Sequence, residues 1–226
     1  MTEILIIAGL TLIIFGYLIY SLVNTYFMGP FYYRKLDWFN DNPVEKDDIV
    51  FLGDSLTDWG PWDEIFPDYP IKNRGIGGER VKGLYRRLDN VVIGQPAKIF
   101  LMIGTNDLPH LMFHNDSYIL NYYRLILAKI HSVSPGTQVY ITSILPRQKL
   151  FAKRVRILNL ELTRLADAEK LPFLDVYPLM ANPDGSIRKD LSNDKLHLMA
   201  EGYRLWAGVV RPYLEDRTET SSESAS

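Results

Sequence analysis

The sequence predicts an α/β fold with a central parallel sheet covered by helices on both faces, and three observations predict it. Short apolar runs at 49–52, 99–103 and 139–145, with a shorter one at 172–176, read as buried strands. Between them lie candidate helices at 80–90, 117–133, 155–170 and 199–214. Within one of these, Leu158, Leu162, Leu165 and Ala166 recur at helical spacing, as a helix docked on a sheet requires. Strand and helix alternating in this way imply right-handed βαβ units.

The N-terminus is different in kind. Residues 4–23 carry no charge, and Thr11 and Ser21 are their only clearly polar side chains. About 20 apolar residues match the hydrocarbon core of a bilayer. A secretory signal peptide would show a basic start and a small-residue cleavage site. Met1-Thr2-Glu3 is not such a start, so residues 1–24 are expected to be a retained transmembrane anchor. Tyr17, Tyr20, Tyr26, Phe27, Phe31, Tyr32 and Tyr33 resemble an interfacial aromatic belt. Arg34 and Lys35 follow the span and favour a cytoplasmic catalytic domain, but large domains also cross regardless of charge. Either face of the membrane is compatible with the sequence. Residues 25–47 read as a juxtamembrane connector, 48–214 as the folded domain, and the small, polar 215–226 as a disordered tail.

Composition narrows the function. The 226 residues allow one domain of ordinary size with a real core. A net charge of −2 gives no electrostatic case for nucleic acid. Without cysteine there is no disulfide, thiolate metal site or thiol nucleophile. His110 and His114 lack a third ligand at metal spacing and read as pocket-wall or surface residues, so neither metal nor cofactor is expected.

The chemistry begins where the first strand stops, at Gly53-Asp54-Ser55. Open α/β sheets bind ligands at the carboxyl ends of their strands. Far downstream, Asp194-Lys-Leu-His197 brings a carboxylate and an imidazole into one short segment. A serine hydroxyl is a poor nucleophile until a base takes its proton, and the base works best when a third group orients it. Taken singly, each part has a plainer reading. Ser55 could cap a helix, Gly75 to Gly78 could be a plain turn, Asn106-Asp107 a turn pair, and Asp194 and His197 a cap and a surface histidine.

Together, Gly53-Asp54-Ser55-Leu56, Asn73-Arg-Gly-Ile-Gly-Gly78, Gly104-Thr-Asn106-Asp107 and Asp194-x-x-His197 resemble the four blocks of the SGNH (GDSL) hydrolase superfamily, in its order. The style is that of bacterial lipase/acylhydrolases similar to platelet-activating-factor acetylhydrolase subunits. The resemblance implies a three-layer α/β/α, flavodoxin-like fold. It further implies Ser55 as nucleophile, His197 as general base then acid, and Asp194 as the orienting group. The implied oxyanion hole comprises the Ser55 and Gly78 backbone N–H groups and the Asn106 amide. Glycines at 75, 77 and 78 permit close backbone approach and positive φ. Two departures stand out. Glu79 occupies a place where many relatives have Asp, and the Gly-x-Ser-x-Gly elbow of α/β-hydrolases is absent.

The expected activity is hydrolysis of carboxylic esters by a membrane-anchored serine esterase, on lipid or lysophospholipid acyl esters. O-acetyl groups on cell-surface glycans, acyl transfer to another acceptor, and a catalytically silent binding module are the alternatives. Trp59, Trp62 and Phe66 either line an acyl or sugar pocket or belong to the core, and Leu111 and Phe113 are candidate chain-length selectors at the site rim. Nothing in the sequence fixes the oligomeric state.

Overall fold

The computed structural model describes residues 9–11, 14–19, 22, 29–110 and 114–215, with only the backbone for His110. The chain divides into two units, Met1–Asn42 and Pro43–Ser226.

In the first unit the backbone is helical at 9–11, 14–19 and 22. The expected anchor at 1–24 lies mostly outside the described residues, and among those described no helix is long and apolar enough to cross a membrane. The connector contains a helix, α1 (Gly29–Asp41). Pro30 falls in its first turn, where a missing N–H costs no helical bond. Asn42 closes it, donating to Trp38 O from its backbone at 3.0 Å and from its side chain at 3.1 Å. The residue before a proline is disfavoured in helical conformation, so Pro43 helps to stop it there.

In the second unit, β1 (Ile49–Gly53) leads into the short helices α2 (Ser55–Asp58) and α3 (Trp62–Ile65), then β2 (Ile71–Gly75). Next come α4 (Val81–Arg86), α5 (Asp89–Val92) and β3 (Lys98–Met102), a 3-10 turn at Thr105–His110, and α6 (Asp116–Val133). The remainder is β4 (Gln138–Thr142), α7 (Ala152–Glu169), β5 (Phe173–Leu174), α8 (Tyr177–Met180) and α9 (Ala200–Glu215). All five strands are parallel, in the order β2-β1-β3-β4-β5. This is the doubly wound, flavodoxin-like order, and its direction reverses between β1 and β3.

Strand alternation builds the layers. Val50, Leu52, Ile99, Leu101, Val139 and Ile141 pack in one core with α4, α5, α6 and α7. Their neighbours Ile49, Phe51, Phe100, Met102 and Tyr140 pack in the other with Leu56, Trp62, Phe66 and α9. Side chains of period two thus place helices on both faces of the sheet, as the apolar runs predict. The expected helix at 80–90 is broken into α4 and α5, because Arg87 turns into the interior between them.

Candidate active site

The segment that carries Ser55 is positioned by its own turn. Asp54, not Ser55, caps α2, its Oδ1 accepting the Leu56 N–H at 3.0 Å. Ser55 is therefore the first helical residue, and its hydroxyl is released for another partner. That partner is His197, whose Nε2 lies 3.1 Å from Ser55 Oγ. The opposite ring nitrogen, Nδ1, lies 2.5 Å from Asp194 Oδ2. The second carboxylate oxygen of Asp194 accepts the backbone N–H groups of Leu196 at 2.9 Å and His197 at 2.8 Å, and the Ser192 hydroxyl at 3.2 Å. Lys195 turns the chain between them in the left-handed region, φ 67°. Side-chain-to-backbone bonds over two or three residues make this a self-contained turn that aims the imidazole at Ser55.

The glycine turn arrives from β2. A Cβ at Gly75 would lie 2.2 Å from the Asp58 N, so only glycine lets β2 close on α2. Of the three glycines that permit positive φ, Gly78 adopts it, at 76°, and it is exposed. Asn73 Nδ2 donates to Thr57 O and Asp58 O, both at 3.0 Å, and Gly77 N–H donates to Asp58 Oδ2 at 3.2 Å. Asn106 comes from the turn after β3, and its Nδ2 donates to Glu79 O at 2.9 Å. All four sequence blocks therefore converge at the carboxyl end of the sheet, beside its β1/β3 reversal.

The GDSL-like Lipase/Acylhydrolase family model matches residues 51–205, which span every one of these groups. The chain belongs to the GDSL-like lipase/acylhydrolase family. It is an ester-hydrolysing enzyme by that membership. Similar curated proteins include platelet-activating factor acetylhydrolase IB subunit alpha1 of Homo sapiens, 27% identical over 173 residues, covering 72% of this chain and 73% of that one. Subunit alpha2 of Rattus norvegicus is 26% identical over 186 residues, covering 76% of each chain. Among solved structures, a Streptococcus pneumonia protein provisionally named for platelet activating factor aligns with TM-score 0.78 at 26% identity, covering 87% of this chain and 98% of that one. A GDSL-like lipase from Bacteroides thetaiotaomicron shares the fold, with TM-score 0.71 at 22% identity over 81% of this chain and 97% of its own.

Within this GDSL-type site the carboxylates are pushed in opposite directions. Partial burial raises the Asp194 pKa, but bonds from the His197 ring and two backbone N–H groups outweigh it and hold the carboxyl at about 2. Asp54 is raised to about 7, first by burial, and further by the nearby Glu79 and Asp107 charges, although the Leu56 N–H and Arg147 oppose this. Burial likewise raises Asp107 to about 6, against the Val81 N–H that its Oδ2 accepts at 3.1 Å. His114 lies with Nδ1 2.8 Å from Asp107 Oδ1 and its ring stacked on Tyr118. Burial lowers its pKa, as do the Arg80, Lys82 and Arg154 charges.

The aromatic candidates separate cleanly. Trp59 is 55% exposed and lies against the His197 ring, centroids 4.1 Å apart. Trp62 and Phe66 belong to the core, with Trp62 stacked on Phe51 at 4.2 Å, so neither lines a pocket. Leu111 and Phe113 lie outside the described residues, as does the side chain of His110. Among the described residues no group of three or more His, Asp or Glu is placed to hold a metal ion.

Three groups carry the site without having stood out in the sequence. Asp58 holds the Gly77 N–H. Arg154 donates to Asp116 Oδ1 at 2.7 Å, to Leu108 O at 2.5 Å and to His114 O, gathering both ends of the loop after Asn106. Arg147 donates to Thr105 O at 2.7 Å, bracing the residue before Asn106. Arginines in a chain of ordinary charge balance have no pattern that marks them as buried.

Proposed function

We propose that this protein is a serine esterase working through an acyl-enzyme. Ser55 Oγ attacks the ester carbonyl while His197 Nε2 takes its proton, and Asp194 holds the imidazole in the required tautomer and stabilises the cation that forms. The tetrahedral oxyanion is held by the Ser55 and Gly78 backbone N–H groups and the Asn106 amide. One such donor is commonly worth about 2.7–4 kcal/mol. Collapse expels the alcohol, which takes the proton from His197. Water then attacks the acyl-Ser55 ester with His197 again as base, releasing the acid and restoring the serine. The observation that carries this reading is the continuous Ser55–His197–Asp194 chain, with contacts of 3.1 and 2.5 Å.

The favoured substrate is a lipid ester with a short acyl group. Two observations support it: the curated relatives are named as subunits of platelet-activating factor acetylhydrolase, and residues 4–23 have the length and apolarity of a membrane anchor. Such an anchor keeps the site at the bilayer surface. The test is a panel of glycerophospholipid esters from acetyl to palmitoyl, beside acetylated glycans and with an added alcohol acceptor, for the full chain and its Ser55→Ala variant. Serine-dependent release greatest for short lipid esters supports the reading. Preference for glycan acetyl groups, or transfer to the alcohol in place of hydrolysis, would replace it.

A further inference from the structure

A buried ion pair joins the segments that carry the proposed chemistry. The side chains of Glu79 and Arg87 are 1% and 2% exposed. Arg87 Nε donates to the two carboxylate oxygens at 2.9 and 2.8 Å, and Nη2 donates to Oε2 at 2.5 Å. The same Nη2 donates to Arg74 O at 2.8 Å and Gly53 O at 3.3 Å. Gly53 ends β1 two residues before Ser55, Arg74 lies in the strand that feeds the glycine turn, and Glu79 directly follows Gly78. The carbonyl of Glu79 is also the acceptor for the Asn106 amide, at 2.9 Å. One guanidinium thus spans the nucleophile strand and the residue that touches both other oxyanion donors.

Stability is a poor explanation for such a pair. Desolvating two charges is costly, and well-packed apolar replacements are often as stable or more so. Geometry explains it better. An oxyanion hole works only when its donors sit about 3 Å from the developing charge, and a misplacement of about 1 Å costs roughly 10²-fold. Gly83 also makes room for the pair. A Cβ there would come 3.2 Å from Glu79 Cγ and 3.3 Å from its Oε1, crowding the glutamate side chain.

We infer that Glu79 and Arg87 are positioning residues of the oxyanion hole: their pair sets Gly78 and Asn106 against Ser55 without touching substrate. The inference rests on the serine esterase reading above. Its test is a double-mutant cycle in the full chain between Arg87→Lys, which keeps the charge and loses the fork, and Asn106→Ala. The readouts are kcat and KM on a short-chain ester, and the affinity of a trifluoromethyl ketone whose hemiketal oxyanion needs the hole. Arg87→Lys is expected to lower kcat at least about tenfold, leave KM within about twofold, and weaken the ketone in parallel. In the Asn106→Ala background the same change should cost clearly less, because one donor it positions is already gone. If Arg87→Lys fails to fold, the paired Glu79→Leu/Arg87→Met variant, which leaves no lone buried charge, runs the same cycle with the same expectation. An equal fold-loss in both backgrounds, or no loss in a folded variant, would overturn the inference while leaving the esterase reading intact. A wild type that hydrolyses no ester would overturn both.

Discussion

The indole of Trp59 lies on the imidazole of His197, ring centroids 4.1 Å apart and planes inclined by 33°. His197 is thereby set between an aromatic face and the Asp194 carboxylate, the two groups that favour a positive ring during proton transfer. A cation over an aromatic face gains about 0.5–2 kcal/mol, or roughly 2- to 30-fold in rate where the charge exists only in the transition state. Trp59→Leu keeps the apolar cover and removes the π face. We predict a fall in kcat within that range, with Trp59→Phe intermediate. A change in KM alone would make Trp59 a wall of the substrate pocket and nothing more.

Asp194 is held at a pKa of about 2, so it is ionised wherever the enzyme works. The acid limb of kcat/KM above about pH 4 therefore does not come from Asp194. As a lowered carboxylate, Asp194 adds stability above its unfolded pKa, and that contribution is lost as pH drops through about 2. Asp194→Asn should cost roughly 10²- to 10⁴-fold in kcat with little change in KM, since the amide favours the wrong tautomer. Steady-state kinetics of wild type and Asp194→Asn check this, and a loss of less than about tenfold would contradict the orienting role.

Asp54 points the other way. Its pKa is raised to about 7, against about 3.9 in an unfolded chain. Between these values the folded state binds more protons than the unfolded one, so stability falls as pH rises. The advantage is complete below about pH 4 and gone above about pH 7. Relative to wild type, Asp54→Asn should therefore gain stability steadily across that window, at roughly 1.4 kcal/mol for each pH unit crossed. Urea midpoints at four pH values from about 4 to about 8 measure it. A wild-type-minus-variant difference independent of pH would contradict the buried, protonated carboxyl.

The anchor proposed for residues 4–23 makes a separate prediction. The full chain should stay with membranes through alkaline carbonate extraction. Leu12→Lys together with Phe15→Lys should release it, because a lysine near the middle of a span costs roughly 2.5–3.5 kcal/mol. Extraction of the unaltered chain would end the anchor reading without touching the active site.

Much of this was legible in the sequence, for identifiable reasons. β1, β3 and β4 are buried on both faces, so each is a continuous apolar run. β2 was not predicted, since this edge strand carries Lys72, Asn73 and Arg74, and its first three residues are only half-buried. Ser55, Gly78, Asn106, Asp194 and His197 stood out because their short blocks resemble those of a known family, and the fold brings Ser55, His197 and Asp194 into one hydrogen-bonded chain. Trp59, Trp62 and Phe66 were not separable, being apolar and within eight residues of one another; packing on Phe51 decides which is core. Arg86 and Arg87 look alike in sequence, and only the fold turns one outward and the other onto Glu79.

Covalent labelling asks whether Ser55 is an activated nucleophile. The full chain would be treated with a fluorophosphonate at neutral pH, beside Ser55→Ala and His197→Ala, and the modified peptide located by mass spectrometry. One adduct is expected, on Ser55, absent from the first variant and greatly slowed in the second. A folded wild type that takes no label, or takes it elsewhere, would contradict an activated Ser55.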